Sequence, residues 1–448
     1  MYKYKKTLFI FRRDLRLEDN TGLINALKNS EEVIPCFIID TEIMNKLKKS
    51  EFRIRFLKES LIDLNKQLNK KKSNLKIFKG KTEEIIKKII LEQKIDGLFL
   101  NGDYTKFAQK NENKIKKICN QNKIDFNKNA DYLLYIPEEI QTKEQKPYTV
   151  YSHFFKTAKT IPVRNSIKNN FNNYYHGKIK GEVSLEVKEK KMIGGRSNAI
   201  NILKNIKQFK DYQKTRDYPE LDKTTRLSAH IRFGTVSIRE VYHTIKENFG
   251  ADHILIREIY WREFFTYVLH YFPNSKFKTF KKKFENIRWS QNRQNYLLWC
   301  KGKTGFPIVD AGMRQLNQTG FMHNRVRMIA ASFLTKDLHI NWKWGERYFA
   351  EKLADYDPAV NAGNWQWVAS TGCDAVPYFR LFNPWLQQEK FDSNCNYIKK
   401  WIPELEENQS YEIHNLWKKD QKGSTYPNPI VNHKFEANKA KDIFKNQK

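Results

Sequence analysis

The stretch Val33-Ile-Pro-Cys-Phe-Ile-Ile39 is an almost unbroken apolar run, with acidic residues at both ends. A short run of this kind predicts a strand that is buried on both faces, as in a parallel sheet covered by helices. Three further apolar runs predict strands at 8–11, 75–78 and 98–100. Between them, apolar residues recur at helical spacing over 53–69, 82–93 and 107–121. The alternation predicts a doubly wound α/β domain with a parallel sheet over residues 1–130.

The rest of the chain has a different pattern. Residues 131–193 are polar and contain Pro137, Pro147 and Pro162, which predicts a long interdomain linker. From residue 194 helical periodicity prevails, so we expect a larger all-α domain over 194–448. All ten tryptophans lie at or beyond Trp261. Because a buried indole N–H needs a partner, this concentration indicates either an aromatic core or a site for flat π-systems.

Composition limits the class of protein. The chain has 448 residues, of which 40% are hydrophobic and 14% aromatic, and this excludes wholesale disorder. No apolar run is long enough for a membrane span. The five cysteines are far apart and lack CxxC spacing, so we expect no disulfide framework, no metal site and a cytoplasmic location.

The chain is strongly basic. Lys and Arg number 82 against 50 Asp and Glu, which gives a formal charge of +32. Such a charge favours a polyanion such as nucleic acid. In a chain this rich in lysine, solvated helix faces account for the charge equally well, so charge alone leaves both interpretations open.

Two predicted helices carry side chains suited to a nucleobase. Glu258 and Trp261 are spaced i,i+3, so a carboxylate could bond a base edge while the indole stacks on the ring. For this segment alone, a surface Glu–Arg pair beside a buried Trp is the better explanation. In the second helix, Asn324 and Met328 are i,i+4 neighbours, which places an amide beside a soft thioether.

The segment 355–367 combines carboxylates, amides and indoles. Pro358 and Gly363 predict a turn or loop there. So many polar groups around indoles are hard to bury unless they meet a polar ligand. These side chains are Asp355, Asp357, Asn361, Asn364, Trp365 and Trp367.

Taken together, six motifs resemble the photolyase/cryptochrome family, most closely its class I branch that acts on cyclobutane pyrimidine dimers. They occur in the order of the family and span nearly the whole chain. The motifs are Phe11-Arg-Arg-Asp-Leu-Arg16, Thr224-Thr-Arg-Leu-Ser228, Tyr260-Trp-Arg-Glu263, Met322-His-Asn-Arg325, Asn364-Trp-Gln-Trp367 and the segment 377–384. The resemblance implies an α/β domain, a linker and a helical domain that binds folded FAD.

The resemblance also implies flavin-binding residues. Arg327 and Asp355 resemble the ion pair beside the isoalloxazine, Asp357 its hydrogen-bonding neighbour, and Asn361 the residue that faces flavin N5. An amide at that position is typical of photolyases, which use reduced anionic FAD. The segment expected to wrap the phosphates and ribose consists of Tyr212, Thr224, Thr225, Arg226, Leu227 and Ser228.

Three further sets of residues follow from the resemblance. The lesion site of the dimer-repairing branch corresponds to Glu258, Trp261, Asn324, Met328 and Trp367, whereas the (6-4) branch has histidines at the Asn and Met positions. The electron-transfer chain corresponds to Trp365, Trp342 and Trp289, with Trp299 and Trp344 assigned to packing. Phosphates beside the lesion would contact Arg262, Arg325 and Arg380.

The implied function is light-driven repair of pyrimidine dimers in DNA by a monomeric FAD enzyme. The alternatives are a cryptochrome-type photoreceptor and a DASH-type photolyase that prefers single strands. The loop Asn101-Gly-Asp-Tyr104 resembles the region near a second, antenna chromophore, and its presence and identity stay open. Leu255 and Phe321 stand where many relatives have Trp. Both keep apolar bulk, so we expect tuning rather than loss of activity.

Overall fold

The computed structural model describes residues 2–47, 49–185, 192–374, 379–418 and 425–447. By internal contacts the chain divides into two compact units. The first unit comprises Met1–Lys210 and Thr225–Pro273, and the second comprises Asp211–Thr224 and Asn274–Lys448. The domain boundaries predicted from the sequence, at 1–130, 131–193 and 194–448, stay predictions.

A five-stranded parallel sheet forms the centre of the first unit, with the strand order β3-β2-β1-β4-β5. The strands are β1 Tyr4–Phe11, β2 Ser30–Asp40, β3 Lys76–Gly80, β4 Gly97–Asn101 and β5 Asp125–Asn129. The four strands predicted from apolar runs are therefore confirmed. The fifth was missed because its sequence, Asp-Phe-Asn-Lys-Asn, is polar; it lies at the sheet edge, where burial is incomplete.

Both faces of this sheet are covered. Phe9 and Phe11 of β1 belong to one apolar cluster, whereas Leu8 and Ile10 belong to another. Side chains alternate across a strand, so the two clusters lie on opposite faces. This arrangement confirms the predicted doubly wound α/β architecture.

Helices make up most of the remaining structure. Those of the first unit are α1 Thr21–Asn29, α2 Thr41–Leu47, α3 Glu51–Lys70, α4 Thr82–Gln93, α5 Lys106–Gln121, α6 Tyr151–Ala158, α7 Arg196–Lys204, α9 Leu227–Phe233, α10 Ile238–Phe249 and α11 Ile254–Tyr271. Those of the second are α8 Tyr212–Thr215, α12 Arg293–Lys301, α13 Pro307–Thr319, α14 Asn324–Ser332, α15 Trp342–Lys352, α16 Pro358–Val368, α17 Pro384–Phe391, α18 Asn396–Trp401, α19 Ser410–His414 and α20 His433–Lys445.

The predicted linker contains regular structure. Helix α6 lies within it, and Tyr174 pairs with Val33 of β2 in an isolated bridge. Asp131 is buried between two guanidinium groups, from Arg16 and Arg239, at 2.6 and 2.7 Å. The start of this segment is therefore tied into the first unit by a buried ionic network.

The second unit has one large aromatic core. Trp299, Trp342 and Trp365 are almost fully buried in it, and Trp289 and Trp367 pack against it while partly exposed. In the described part of the chain, no helix combines the length and the apolar character required to cross a bilayer.

Candidate active site

Helix α14 carries three predicted site residues of the second unit, Asn324, Arg327 and Met328. Asn324 Nδ2 lies 3.8 Å from Met328 Sδ, which confirms that the two side chains are neighbours. Arg327 Nη2 lies 3.0 Å from Asp355 Oδ2, which confirms the predicted ion pair. The helix begins at Asn324 and is capped by His323, whose Nδ1 accepts a bond from the Arg325 backbone N–H at 3.2 Å.

Helix α16 occupies the segment that was predicted to be a turn or loop, and that prediction was wrong. Pro358 is the first residue of the helix, where its missing N–H costs nothing. Asp357 caps the helix, because its Oδ1 accepts the N–H groups of Ala359 and Val360 at 2.9 and 3.2 Å. Gly363 is tolerated inside the helix. Asn361 and Trp365 therefore share one buried face.

Asn361 is held by a carboxylate that the sequence analysis missed. Its Nδ2 donates to the Glu346 backbone oxygen at 3.1 Å and to Glu346 Oε1 at 3.0 Å. Tyr356 donates its hydroxyl to the same Oε1 at 3.2 Å. Burial raises the pKa of Glu346. Glu346 is the only acidic residue in the aromatic segment 342–349. That isolation was the available signal in the sequence, but it does not identify Asn361 as the hydrogen-bond partner.

Of the three predicted electron-transfer tryptophans, the two inner ones are buried and the outer one is partly exposed. Trp365 and Trp342 are 2% and 1% exposed, whereas Trp289 is partly exposed. Ser290, the residue after Trp289, donates its backbone N–H to the His339 carbonyl oxygen at 2.7 Å. His339 shortly precedes α15, which begins at Trp342. Trp299 is fully buried and donates its indole N–H to the Ala330 carbonyl at 3.0 Å, as expected for a packing residue.

The predicted nucleotide-binding segment begins with an unsatisfied hydroxyl. Among the described residues Thr224 Oγ1 is buried and has no hydrogen-bond partner, and the same holds for His323 Nε2. Thr225 Oγ1 accepts the Leu227 N–H at 3.4 Å at the start of α9. A buried hydroxyl without a partner is costly unless a polar ligand binds it. Thr224 therefore fits a site for the polar groups of a nucleotide such as FAD.

The rest of this segment is local structure. Tyr212 begins α8 and lies 5.9 Å from the Arg216 guanidinium carbon. Arg226 has a φ of +53° and caps the start of α9. Leu227 and Ser228 are the first two residues of that helix. Thr225, Arg226 and Ser228 thus lie at the start of α9, whereas Tyr212 lies on α8, and their binding of a pyrophosphate stays a prediction.

In the first unit, α11 carries Glu258 and Trp261. Glu258 is partly exposed, and the Trp261 indole stacks on the ring of Tyr151. Leu255, which replaces a common Trp, is buried. The other replacement, Phe321 in the second unit, places its ring centre 5.8 Å from the guanidinium carbon of Arg327.

Two of the three arginines predicted to bind DNA are engaged by the protein. Arg262 pairs with Glu263 at 2.7 Å and donates to the Tyr132 backbone oxygen at 3.0 Å. Arg325 pairs with Asp217 at 2.7 Å. With 12% and 16% of their side chains exposed, these guanidinium groups have little freedom to bind phosphates. The geometry therefore does not support their predicted DNA contacts.

Arg380 is different, because its guanidinium carbon lies 4.7 Å above the Trp367 ring. This cation–π contact places a positive charge on a predicted lesion-contacting indole. Two residues of the same motif, Pro377 and Tyr378, lie outside the described residues.

The antenna loop lies at the end of β4. Asp103 pairs with Arg13 at 2.9 Å, and Arg12 pairs with Glu112 at 2.7 Å. The loop is thus held by the first motif of the chain. These contacts do not identify a second chromophore.

Comparison with known proteins identifies the family of the chain. Residues 7–167 match the family described as DNA photolyase, and residues 255–446 match the FAD binding domain of DNA photolyase. A deoxyribodipyrimidine photo-lyase of Buchnera aphidicola is 35% identical, over 98% of this chain and 97% of the relative.

The chain belongs to the DNA photolyase family.

Solved photolyase structures extend this result. The archaeal photolyase of Sulfolobus tokodaii, described with two FAD molecules, is 40% identical with a TM-score of 0.88 and covers 98% of this chain and 100% of that one. A class III photolyase of Agrobacterium tumefaciens is 32% identical with a TM-score of 0.90, over 99% and 98% of the two chains. The chain is thus a photo-lyase with the FAD-binding domain of its family.

Proposed function

We propose that this photolyase repairs cyclobutane pyrimidine dimers in DNA, as a class I enzyme. The observation that carries the proposal is the arrangement of α14. One helix holds the adjacent Asn324 and Met328, which are typical of dimer repair, and also Arg327 in its ion pair with Asp355. The pair expected to contact the lesion and the arginine expected to contact the flavin then share one rigid element.

Bound FAD, reduced and excited by light, would supply the electron that opens the cyclobutane ring and would regain it afterwards. The protein residues bind and orient. Asn324 offers both a donor and an acceptor to a pyrimidine edge, and Met328 gives a soft apolar contact. Trp261 and Trp367 provide flat apolar surfaces for bases that have left the stack.

Glu258 would stabilise developing charge. When the dimer accepts an electron, negative charge grows on a pyrimidine carbonyl oxygen. A protonated Glu258 can donate a hydrogen bond to that oxygen, which favours the transition state over the ground state.

Two other residues, Arg327 and Asn361, would contact the flavin ring. Arg327 would hold negative charge beside the ring, and Asn361 would face N5. Its NH₂ group donates to Glu346, so its carbonyl oxygen is the atom offered to an N–H donor. That polarity suits a reduced flavin, which carries a proton on N5. We further propose that the enzyme acts as a monomer in the cytoplasm, on DNA attracted by its +32 charge.

Illumination of the purified, chemically reduced holoenzyme tests this function. An oligonucleotide with one thymine dimer should regain thymine absorbance in the light and not in the dark. Equal repair of the dimer in single-stranded and duplex DNA fits class I, whereas repair confined to single strands would indicate a DASH-type enzyme. No recovery, with reduced FAD bound, would favour the photoreceptor alternative.

Replacing Glu258 separates its role from flavin binding. Glu258→Ala removes the hydrogen-bond donor to the charged carbonyl, so we expect the repair yield to fall roughly tenfold. The FAD content, measured from the flavin absorbance, should stay equal to that of the wild type. An unchanged yield would remove the proposed charge stabilisation.

A further inference from the structure

The indole of Trp261 is covered on one face by another ring. The centroids of Trp261 and Tyr151 are 3.5 Å apart, and their planes differ by 5°. Aromatic pairs usually prefer offset or edge-on contacts with centroids roughly 4.5–7 Å apart. A parallel contact at this distance resembles the stacking of two nucleobases.

Tyr151 is itself fixed in place. It is the first residue of α6, and its hydroxyl donates to the Arg257 backbone oxygen of α11 at 3.0 Å. Phe155, one turn later, stacks on the Tyr151 ring with centroids 5.7 Å apart and planes 13° apart. Tyr151 thus stacks with both Trp261 and Phe155, and the Trp261 ring also stacks on Phe265 of α11, with centroids 5.6 Å apart and planes 28° apart.

Helix α6, which carries Tyr151 and Phe155, is held in place by a buried residue. Phe154 is fully buried and packs on Phe264 and Tyr267 of α11, with centroids 5.4 and 5.0 Å apart. Helix α6 is short, so it depends on these contacts for its position. Tyr151 is therefore presented to Trp261 by a helix with a buried attachment.

We propose that Tyr151 is a positioning residue for the lesion: it fixes the plane of Trp261, the surface on which an extruded pyrimidine dimer packs. This inference rests on the proposed dimer-repair function. A flat surface that is held in one orientation before the lesion arrives loses no side-chain freedom on binding. The hydroxyl bond to Arg257 supports the ring, but the stacking does the positioning.

The proposal predicts an effect on the binding of damaged DNA and none on the binding of undamaged DNA. Undamaged DNA is held chiefly through its phosphates, and these contacts do not involve the plane of an indole. A dimer also has to leave the base stack and meet Trp261. Loss of the Tyr151 ring should therefore weaken binding of the lesion and leave binding of undamaged DNA unchanged.

Binding measurements with the holoenzyme in the dark test this. The ratio of the Kd values for undamaged and dimer-containing oligonucleotides should fall about fivefold in Tyr151→Ala. Tyr151→Phe keeps the ring and should keep the ratio. Tyr411→Ala removes a tyrosine that is 65% exposed in the second unit and serves as the matched control.

Two results would overturn the proposal. One is an unchanged ratio in Tyr151→Ala. The other is tighter binding of the dimer by Tyr151→Ala, since that would mean that the tyrosine occupies the place of the base. If the wild type itself shows no preference for the dimer, the proposed function fails, and the positioning role fails with it.

A spectroscopic measurement without DNA examines the stack itself. In protein labelled with 5-fluorotryptophan, Trp261→Phe identifies the ¹⁹F resonance of Trp261 among the ten indoles. We expect that resonance to shift in Tyr151→Ala and to stay close to its wild-type position in Tyr151→Phe. An unchanged resonance in Tyr151→Ala would show that Tyr151 does not fix the indole, whatever the repair activity of the protein.

Discussion

At the residue scale, Asn361 shows how one carboxylate can decide what an amide offers. An amide presents a donor and an acceptor, and a half-turn of the side chain exchanges them. Glu346 accepts from Nδ2 with both its backbone and side-chain oxygens, so it selects one of the two orientations. If Asn361 faces flavin N5, Glu346 determines that an acceptor is presented there.

This assignment predicts an effect of Glu346→Gln. Glutamine can donate as well as accept, so its side chain no longer opposes the reversed Asn361 amide, and only the backbone oxygen of residue 346 still favours the native orientation. We expect the reduction potential of bound FAD to become more negative, by on the order of 20–30 mV, because the reduced form loses part of a hydrogen bond. Potentiometric titration of the holoenzyme measures the change.

The control for this substitution is Lys343→Ala, an exposed position on the same helix. It should leave the potential unchanged. A potential in Glu346→Gln equal to that of the wild type would mean that Glu346 has no part in orienting the amide.

At the scale of elements, the close approach of α15 to α16 builds the centre of the second unit. A Cβ atom added at Gly345 would lie 2.1 Å from the Trp365 ring, so only glycine permits this contact. The approach brings Glu346 to Asn361 and packs Trp365 in the same core as Trp342. The positions of Asn361, Trp342 and Trp365, to which we assign roles beside the flavin, thus depend on one helix pair.

The exposure of the tryptophans leads to a prediction for Trp289→Phe. If electrons reach bound FAD from the surface through Trp289, Trp342 and Trp365, removing the outer indole should slow photoreduction of oxidised holoenzyme several-fold. Repair by chemically reduced enzyme should be unaffected. Flash photolysis followed at the flavin absorbance measures the first, and the oligonucleotide assay the second.

Trp344→Phe is the matched control, because Trp344 is also a partly exposed indole packed on the same core. It should photoreduce at the wild-type rate. If the two variants behave alike, the electron takes a different route.

At the scale of the whole molecule, a buried acid couples stability to pH. Glu263 is 2% exposed, and burial raises its pKa to about 7 from an ordinary value of 4.5. The folded protein therefore binds a proton that the unfolded chain releases between these values. The native state loses stability as pH rises from about 4.5 to about 7, and the cost is fully present above 7.

Glu263→Gln should remove this dependence. The introduced glutamine can still accept the Leu134 N–H that Glu263 accepts at 2.8 Å. The free energy of unfolding of the variant minus that of the wild type should increase by on the order of 1–3 kcal/mol from pH 5 to pH 8. Urea titrations at both pH values measure the difference. Parallel behaviour of the two proteins would show that Glu263 is ionised with an ordinary pKa.

Much of the architecture was predictable because apolar residues report burial directly. The runs at 8–11 and Val33–Ile39 identified central strands, and the i,i+4 spacing of Asn324 and Met328 identified neighbours on α14. Helical spacing is a property of the local chain, so it survives folding unchanged.

Other features failed because local signals conflict with tertiary ones. Pro358 and Gly363 were interpreted as a turn, although Asp357 before Pro358 is also a local signal of a helix start; burial of Trp365 then favours the helix. The polar β5 becomes a strand because β4 offers it an unpaired edge.

By itself, the sequence determined the parallel α/β sheet, the helical second half and the family of this protein, since periodicity and motif order are written along the chain. Only the tertiary structure decided that Glu346 orients Asn361, that Tyr151 stacks on Trp261, and that Arg262 pairs with Glu263. The first two pairings join residues far apart in sequence, and the third depends on which of several nearby carboxylates the folded backbone brings within reach. Such choices depend on distance in space, which spacing along a chain does not specify.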